Sequence, residues 1–212
     1  MNIELLHTDT LTQAREKLKN ETKNFELKVH RVACEEALGC ICAKDVIAEE
    51  NVPPFRRSTV DGYAIIAGDS YGAGDSNPAF YQVTGHVNIE EQALMTVDMG
   101  EAVQVQTGSM VPDGATAVLM VEYTEQYADG KIIGYKAVSE DENIIQVGED
   151  MAAGDCLIQR GREINARDIG MMAALGICDI EVYMPPVVTI ISTGDELVDI
   201  REPLTASKIR DI

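Results

Sequence analysis

Residues 53–66 read PPFRRSTVDGYAII. The prolines bar helix and hold an extended approach. Arg56 and Arg57 then place two delocalised cations, with Ser58 and Thr59 as hydroxyl donors, in an otherwise acidic chain, a set that suits an oxyanion. Asp61 before Gly62 reads two ways: as a carboxylate for chemistry, or as an Asp-Gly turn launching the next strand, the commoner use of that pair. Three other stretches pose the same choice. In TGSMVPDGA, residues 107–115, the Thr107 hydroxyl could hold an anion or a metal-bound water, or sit in an ordinary β-turn. VGEDMAAGD, residues 147–155, sets Glu149 beside Asp150 between glycines. Those hard oxygens suit magnesium, and they suit an exposed acidic turn equally well. STGDEL, residues 192–197, follows an apolar run, where α/β sheets bind ligands. Its Asp195 and Glu196 also fit the first turn of a helix.

The bulk composition narrows the chemistry. With 17 basic and 36 acidic side chains, a formal charge of −19 would repel a phosphate backbone, so nucleic acid is not an expected partner. Tryptophan is absent and aromatics make up 5%, too little for a base-stacking platform. No run approaches the roughly 18 apolar residues of a membrane span, and MNIELLHTDT lacks a signal-peptide pattern, so a cytoplasmic protein without a membrane partner is expected. The cysteines Cys34, Cys40, Cys42, Cys156 and Cys178 are odd in number and contain no CxxC, which reads as reduced thiols and not as a zinc site. His7, His30 and His86 have no ligand-spaced partner and read as surface or packing residues. No G-x-G-x-x-G follows VVTIIST, which argues against a dinucleotide-dependent oxidoreductase.

These candidates need elements to position them. Residues 8–22 predict an amphipathic helix capped within Thr8–Thr10, with Leu11, Ala14 and Leu18 on one face. FELKVHRV and ICAKDVIA predict strands on either side of a short helical ACEEALG. Near the other end, NARDIGMMAALGICDIEVYMPP predicts a helix capped by Asn165, with Ile169, Met172 and Ala173 on one face and a stop at Gly176, then a strand. The repeated order of helix, Ala-Leu-Gly, strand and Pro-Pro suggests one small domain interrupted by an insertion. Between the halves, YAII, AFYQVTGHV, EAVQVQTG, TAVLMVEYTEQY and KIIGYKAV, punctuated by Gly, Pro and Asp, have the rhythm of an all-β module that needs no helix. PPVVTIISTGDELVD reads as the first strand of a doubly wound α/β unit and a helix start. The boundaries expected are 1–26 for a helical segment, 27–51 with 145–184 for the split domain, 52–144 for the insertion, and 185–212 for the start of a truncated α/β domain.

PPFRRSTVDGYA, TGSMVPDGA, VGEDMAAG, ARDIGMMAALGI and STGDEL occur in the order and spacing of one family, and ASKIRDI follows STGDEL as it does there. From about residue 8 onward the chain resembles MoeA, the molybdopterin molybdenumtransferases, whose relatives include the E domain of gephyrin. The resemblance implies a multidomain α+β protein: a small split α/β linker domain, an inserted all-β domain, and the start of a truncated three-layer α/β molybdopterin-binding domain. It implies insertion of molybdate into adenylated molybdopterin with release of AMP, a Mg2+ ion, an elongated homodimer, and molybdopterin adenylyltransferase as the upstream partner. By motif it carries catalytic roles to Asp61, Thr107, Asp150 and Glu196, with Asp61, Asp150 and Glu196 as metal ligands. Ser58, Arg56, Arg57, Gly194 and Asp195 are then expected to touch substrate. The resemblance also offers a non-catalytic reading, a dimerisation and interaction scaffold of the gephyrin type. The retained Asp61, Asp150 and Glu196 favour the enzyme, and the chain is expected to be an N-terminal part, inactive alone.

Overall fold

The structure, a computed structural model, describes residues 8–211, so His7 lies outside the described residues. The chain divides into two compact units: Arg31–Val182, and a second made of the residues up to His30 with those from Tyr183 on.

A six-stranded mixed sheet occupies much of the larger unit, in the order Ala117–Met120, Gly62–Ile65, Glu101–Val105, Ala79–Val87, Lys131–Gly134, Thr124–Tyr127. Each neighbouring pair is antiparallel except Ala79–Val87 beside Glu101–Val105. Each apolar run named within 52–144 forms a strand; the run 116–127 forms two, separated by a 3-10 turn at Val121–Tyr123. Among the described residues, 52–144 contain 3-10 turns and no α-helix. Gly62–Ile65 and Ala117–Met120 are apolar throughout because both faces are covered, whereas Glu101–Val105 and Ala79–Val87 turn Gln104, Gln82, Thr84 and His86 to solvent. Tyr63, Ile65, Tyr81, Leu119 and Ile132 pack on one side, and Ala64, Val103, Val105, Val118 and Ile144 on the other. Each fully buried side chain of this size contributes about 1.5–3 kcal/mol relative to exposure.

A separate core in the same unit takes Cys34, Ala37 and Cys42 from the early segment and Ile158, Ile164, Met172, Ile180 and Val182 from the late one. The helix Ala166–Ala174 contributes Met172, fully buried. Asn165 caps it as the sequence predicts, accepting from the amides of Arg167 and Asp168, while the Asp168 carboxylate accepts from the Asn165 amide. Ala173, expected on the apolar face, is exposed. The expected strand over ICAKDVIA is two short strands, Ile41–Cys42 and Val46–Ile47, each with a different partner. Of the expected FELKVHRV strand, Val29–Ala33 pairs.

In the smaller unit, the helix Leu11–Thr22 starts at Thr10 in a capping box with Gln13, and none of its residues is buried. The apolar run 187–191 is not a strand: Val187, Val188, Ile190 and Ile191 are 73–96% exposed and pair with nothing. A run this apolar is suited to a strand covered on both faces, and without neighbours its amides have no ladder to join. The helix start expected at STGDEL is instead a turn into Leu197–Val198, which pairs in parallel with Ile209–Arg210.

Candidate functional site

Strand register brings the first two candidates together. Gly62 pairs with Val105, so the residue before the one strand and the turn after the other lie side by side. There Asp61 Oδ1 accepts from the Thr107 amide at 2.7 Å and the Thr107 hydroxyl at 2.9 Å. The amide first, then the hydroxyl, hold the Asp61 carboxyl below the ordinary aspartate range, so it is ionised at neutral pH. Asp61 is exposed, and its Oδ2 has no hydrogen-bond partner among the described residues.

The Asp-Gly pair is not a hairpin turn. Arg57–Ser58, before it, pairs with Ile144–Ile145, whereas Gly62–Ile65, after it, pairs with two other strands. Glycine is needed at 62 because a Cβ there would lie 2.1 Å from the Leu119 carbonyl oxygen of the neighbouring strand. The sequence signal was right about glycine and wrong about its cause.

Thr107 sits in a turn closed by Ser109 N–H donating to the Gln106 carbonyl at 3.0 Å, with Gly108 at φ +87°. The turn reading of TGSMVPDGA therefore holds, and the turn presents the Thr107 hydroxyl to Asp61. A cleft of about 350 Å³ lies beside it, lined by Phe55, Glu90, Glu91, Gln92, Gly108 and Met110.

The donors of PPFRRS differ from expectation. Ser58 is 2% exposed, and its hydroxyl donates to the Val60 carbonyl at 2.6 Å, so it offers nothing to a ligand. Arg56 donates to the carbonyls of Ala115 at 2.9 Å and Pro112 at 3.0 Å, clamping the loop after Thr107. Local sequence could not show this, because those acceptors lie more than fifty residues away. Arg57 is different: its Nε is buried without an acceptor.

Asp150 is exposed, on a loop tied to the start of the β module through its amide to the Val52 carbonyl at 2.9 Å. Its neighbour Glu149 is committed, accepting from the Gln146 amide at 2.8 Å. Glu196 belongs to the other unit. Its carboxylate folds over Gly194, where a Cβ would lie 2.7 Å from Oε1, and Gly194 has φ +152°. The Asp195 carbonyl accepts from the Lys208 ammonium. Among the described residues, no three His, Cys, Asp or Glu side chains form a ready-made metal cluster, and no helix is long and apolar enough to cross a membrane.

This mixed, sheet-rich α+β architecture has known counterparts. Residues 9–176 match the family model "MoeA N-terminal region (domain I and II)", and the chain belongs to that family. It is 33% identical over 203 residues to a molybdopterin molybdenumtransferase of Staphylococcus epidermidis, covering 95% of this chain and 48% of that one. It is 37% identical over 180 residues to the Staphylococcus aureus protein of the same name, covering 85% and 43%. Two crystal structures of molybdopterin biosynthesis MoeA protein from Pyrococcus horikoshii share the fold. One has a TM-score of 0.73 at 33% identity, covering 93% of this chain and 51% of that one. The other has a TM-score of 0.75 at 36% identity, covering 87% and 49%. The chain thus spans about half the length of the curated relatives it matches.

Proposed function

We propose that the chain is the N-terminal part of a molybdopterin molybdenumtransferase, which inserts molybdate into adenylated molybdopterin and releases AMP. The observation that carries this is the Asp61–Thr107 pair: one carboxylate oxygen is fixed by two donors and the other is left open in an exposed turn. Two donors to Oδ1 make Asp61 a weak base. Its role is therefore to hold a cation or orient a water at Oδ2, and not to take a proton.

The donors suit magnesium. It binds through one or two carboxylates, with water and substrate phosphate oxygens completing the shell, so a lone open carboxylate oxygen is appropriate where the described residues hold no cluster of three. Asp61 would hold it, with Asp150 as a second carboxylate of the same unit. When bound, the ion supplies charge neutralisation at the phosphoanhydride. Of the two arginines, Arg57 is the one proposed to meet an anion, because Arg56 is held by the Ala115 and Pro112 carbonyls while the Arg57 Nε has no acceptor among the described residues. The cleft beside Gly108 gives a ligand room, with Phe55 and Met110 as its apolar surface.

The remaining expectations follow from this reading: a cytoplasmic homodimer that receives adenylated molybdopterin from an adenylyltransferase. The uncovered apolar residues Leu11 and Leu18 of the first helix, 69% and 65% exposed, support the dimer. The test is AMP release from adenylated molybdopterin with molybdate and Mg2+. In a full-length protein carrying this chain, Asp61→Asn should lower the rate about 100-fold while leaving the unfolding midpoint nearly unchanged. An unchanged rate would exclude the role given to Asp61. This chain alone should give no turnover.

A further inference from the structure

We infer that two buried serines, Ser109 and Ser58, are positioning residues that set the Asp61–Thr107 geometry. The inference rests on the reading of that pair as part of the site, but it is tested without turnover.

Ser109 is 1% exposed. Its hydroxyl accepts from the Gln106 amide at 3.0 Å and donates to the Gln106 carbonyl at 2.7 Å. With the Ser109 amide also donating to that carbonyl at 3.0 Å, three bonds close the four-residue turn that carries Thr107. Ser58 does the same for the turn that carries Asp61: its hydroxyl donates to the Val60 carbonyl at 2.6 Å and accepts from the Val60 amide at 3.3 Å.

The two turns are then welded by main chain. Ser58 N–H donates to the Ser109 carbonyl at 3.0 Å, and Gly108 N–H donates to the Ser58 carbonyl at 2.8 Å. Alongside the Gly62–Val105 pairing, these contacts of the two serines aim Thr107 at Asp61. Neither hydroxyl has reason to be buried except to satisfy main-chain groups that the tight turns leave unpaired. Burial makes these bonds directional and keeps water from competing for them. Neither serine touches a ligand in this arrangement. Each acts through Asp61 or Thr107.

The experiment is a carbon-13 carboxylate titration of Asp61 by NMR in the 212-residue chain, with hydrogen exchange of the Thr107 amide followed on the same samples. Thr107→Val, which removes one donor directly, sets the scale by raising the Asp61 midpoint toward the ordinary aspartate range. Ser109→Ala should raise it in the same direction and speed Thr107 amide exchange about tenfold, the effect of losing roughly one hydrogen bond. Ser109→Cys, which fills the space but donates weakly, should fall between wild type and Ser109→Ala, and it serves if the alanine variant folds poorly. A Ser58→Ala variant should move the Asp61 midpoint with a smaller change in Thr107 exchange. The inference is overturned if Ser109→Ala and Ser109→Cys lower stability while the Asp61 midpoint and Thr107 exchange stay at wild-type values, since that pattern marks a structural role alone. Loss of catalysis by Asp61→Asn bears on the function and not on this result, so the two readings fail separately.

Discussion

The motif around Asp61 and the motif around Glu196 both place an acid next to a glycine, yet they are built differently. Asp61 sits where two paired strands with buried cores end side by side, and its carboxylate is anchored by two donors. Glu196 lies beyond an apolar run whose side chains are up to 96% exposed, and its carboxylate rests over a bare glycine backbone. A carboxylate held by its own fold keeps its place without outside help. One without such supports depends on what later covers its surroundings.

The same substitution in each motif breaks this comparison most directly. Gly62→Ala pushes a carbon against the Leu119 carbonyl, a backbone atom that cannot swing away. It should cost about 3 kcal/mol in chemical denaturation and part the strands that bring Thr107 to Asp61. Gly194→Ala meets only the tip of the flexible Glu196 side chain, so its cost comes from the backbone angle and should be about 1 kcal/mol. Equal costs would show that the two motifs are supported alike.

Between these extremes lies Asp168, a carboxylate that is anchored for structure alone. Arg162 grips it bidentately at 2.6 and 2.8 Å, and it also closes the helix cap at Asn165. Asp168→Ala should cost about 2 kcal/mol by urea denaturation. The Arg162 bonds, against an opposing effect of burial, lower the Asp168 carboxyl below the ordinary aspartate range. Its folded midpoint therefore lies below its unfolded one. The stability it contributes is full at neutral pH and is lost as pH falls through the ordinary aspartate range toward the lowered midpoint. Unfolding followed from neutral to acid should show that decline in wild type and a flatter profile in Asp168→Ala.

The smallest effect sharpens the comparison from inside the sheet. Tyr81 is 1% exposed and its hydroxyl has no partner, and burial pushes its pKa up to about 12. Tyr81→Phe should gain about 1 kcal/mol, because a buried unsatisfied donor is removed and the ring is kept. A loss of stability would point to a bound water at the hydroxyl.

Much of this was legible in the sequence, and for identifiable reasons. AFYQVTGHV is a strand from its first residue to its last, and the helix after Asn165 starts where its cap says, because these signals are local. The Asp61–Thr107 bond spans 46 positions and depends on pairing register, which motif order pointed to but no local pattern encodes. The need for glycine at 62 comes from a strand more than fifty residues away, and Arg56 is spent on carbonyls just as distant. The run VVTII was misread in the opposite direction: composition announced a strand, but strands exist only in pairs.

The pairing of Gly62 with Val105 has one more consequence. Side chains alternate along a strand, so a slip of one position would turn Tyr63 and Ile65 to the opposite face and carry Asp61 out of reach of Thr107 in the same movement. A misassembled sheet therefore cannot keep the Asp61–Thr107 pair at the ends of its strands, and the two bonds to Asp61 report correct register.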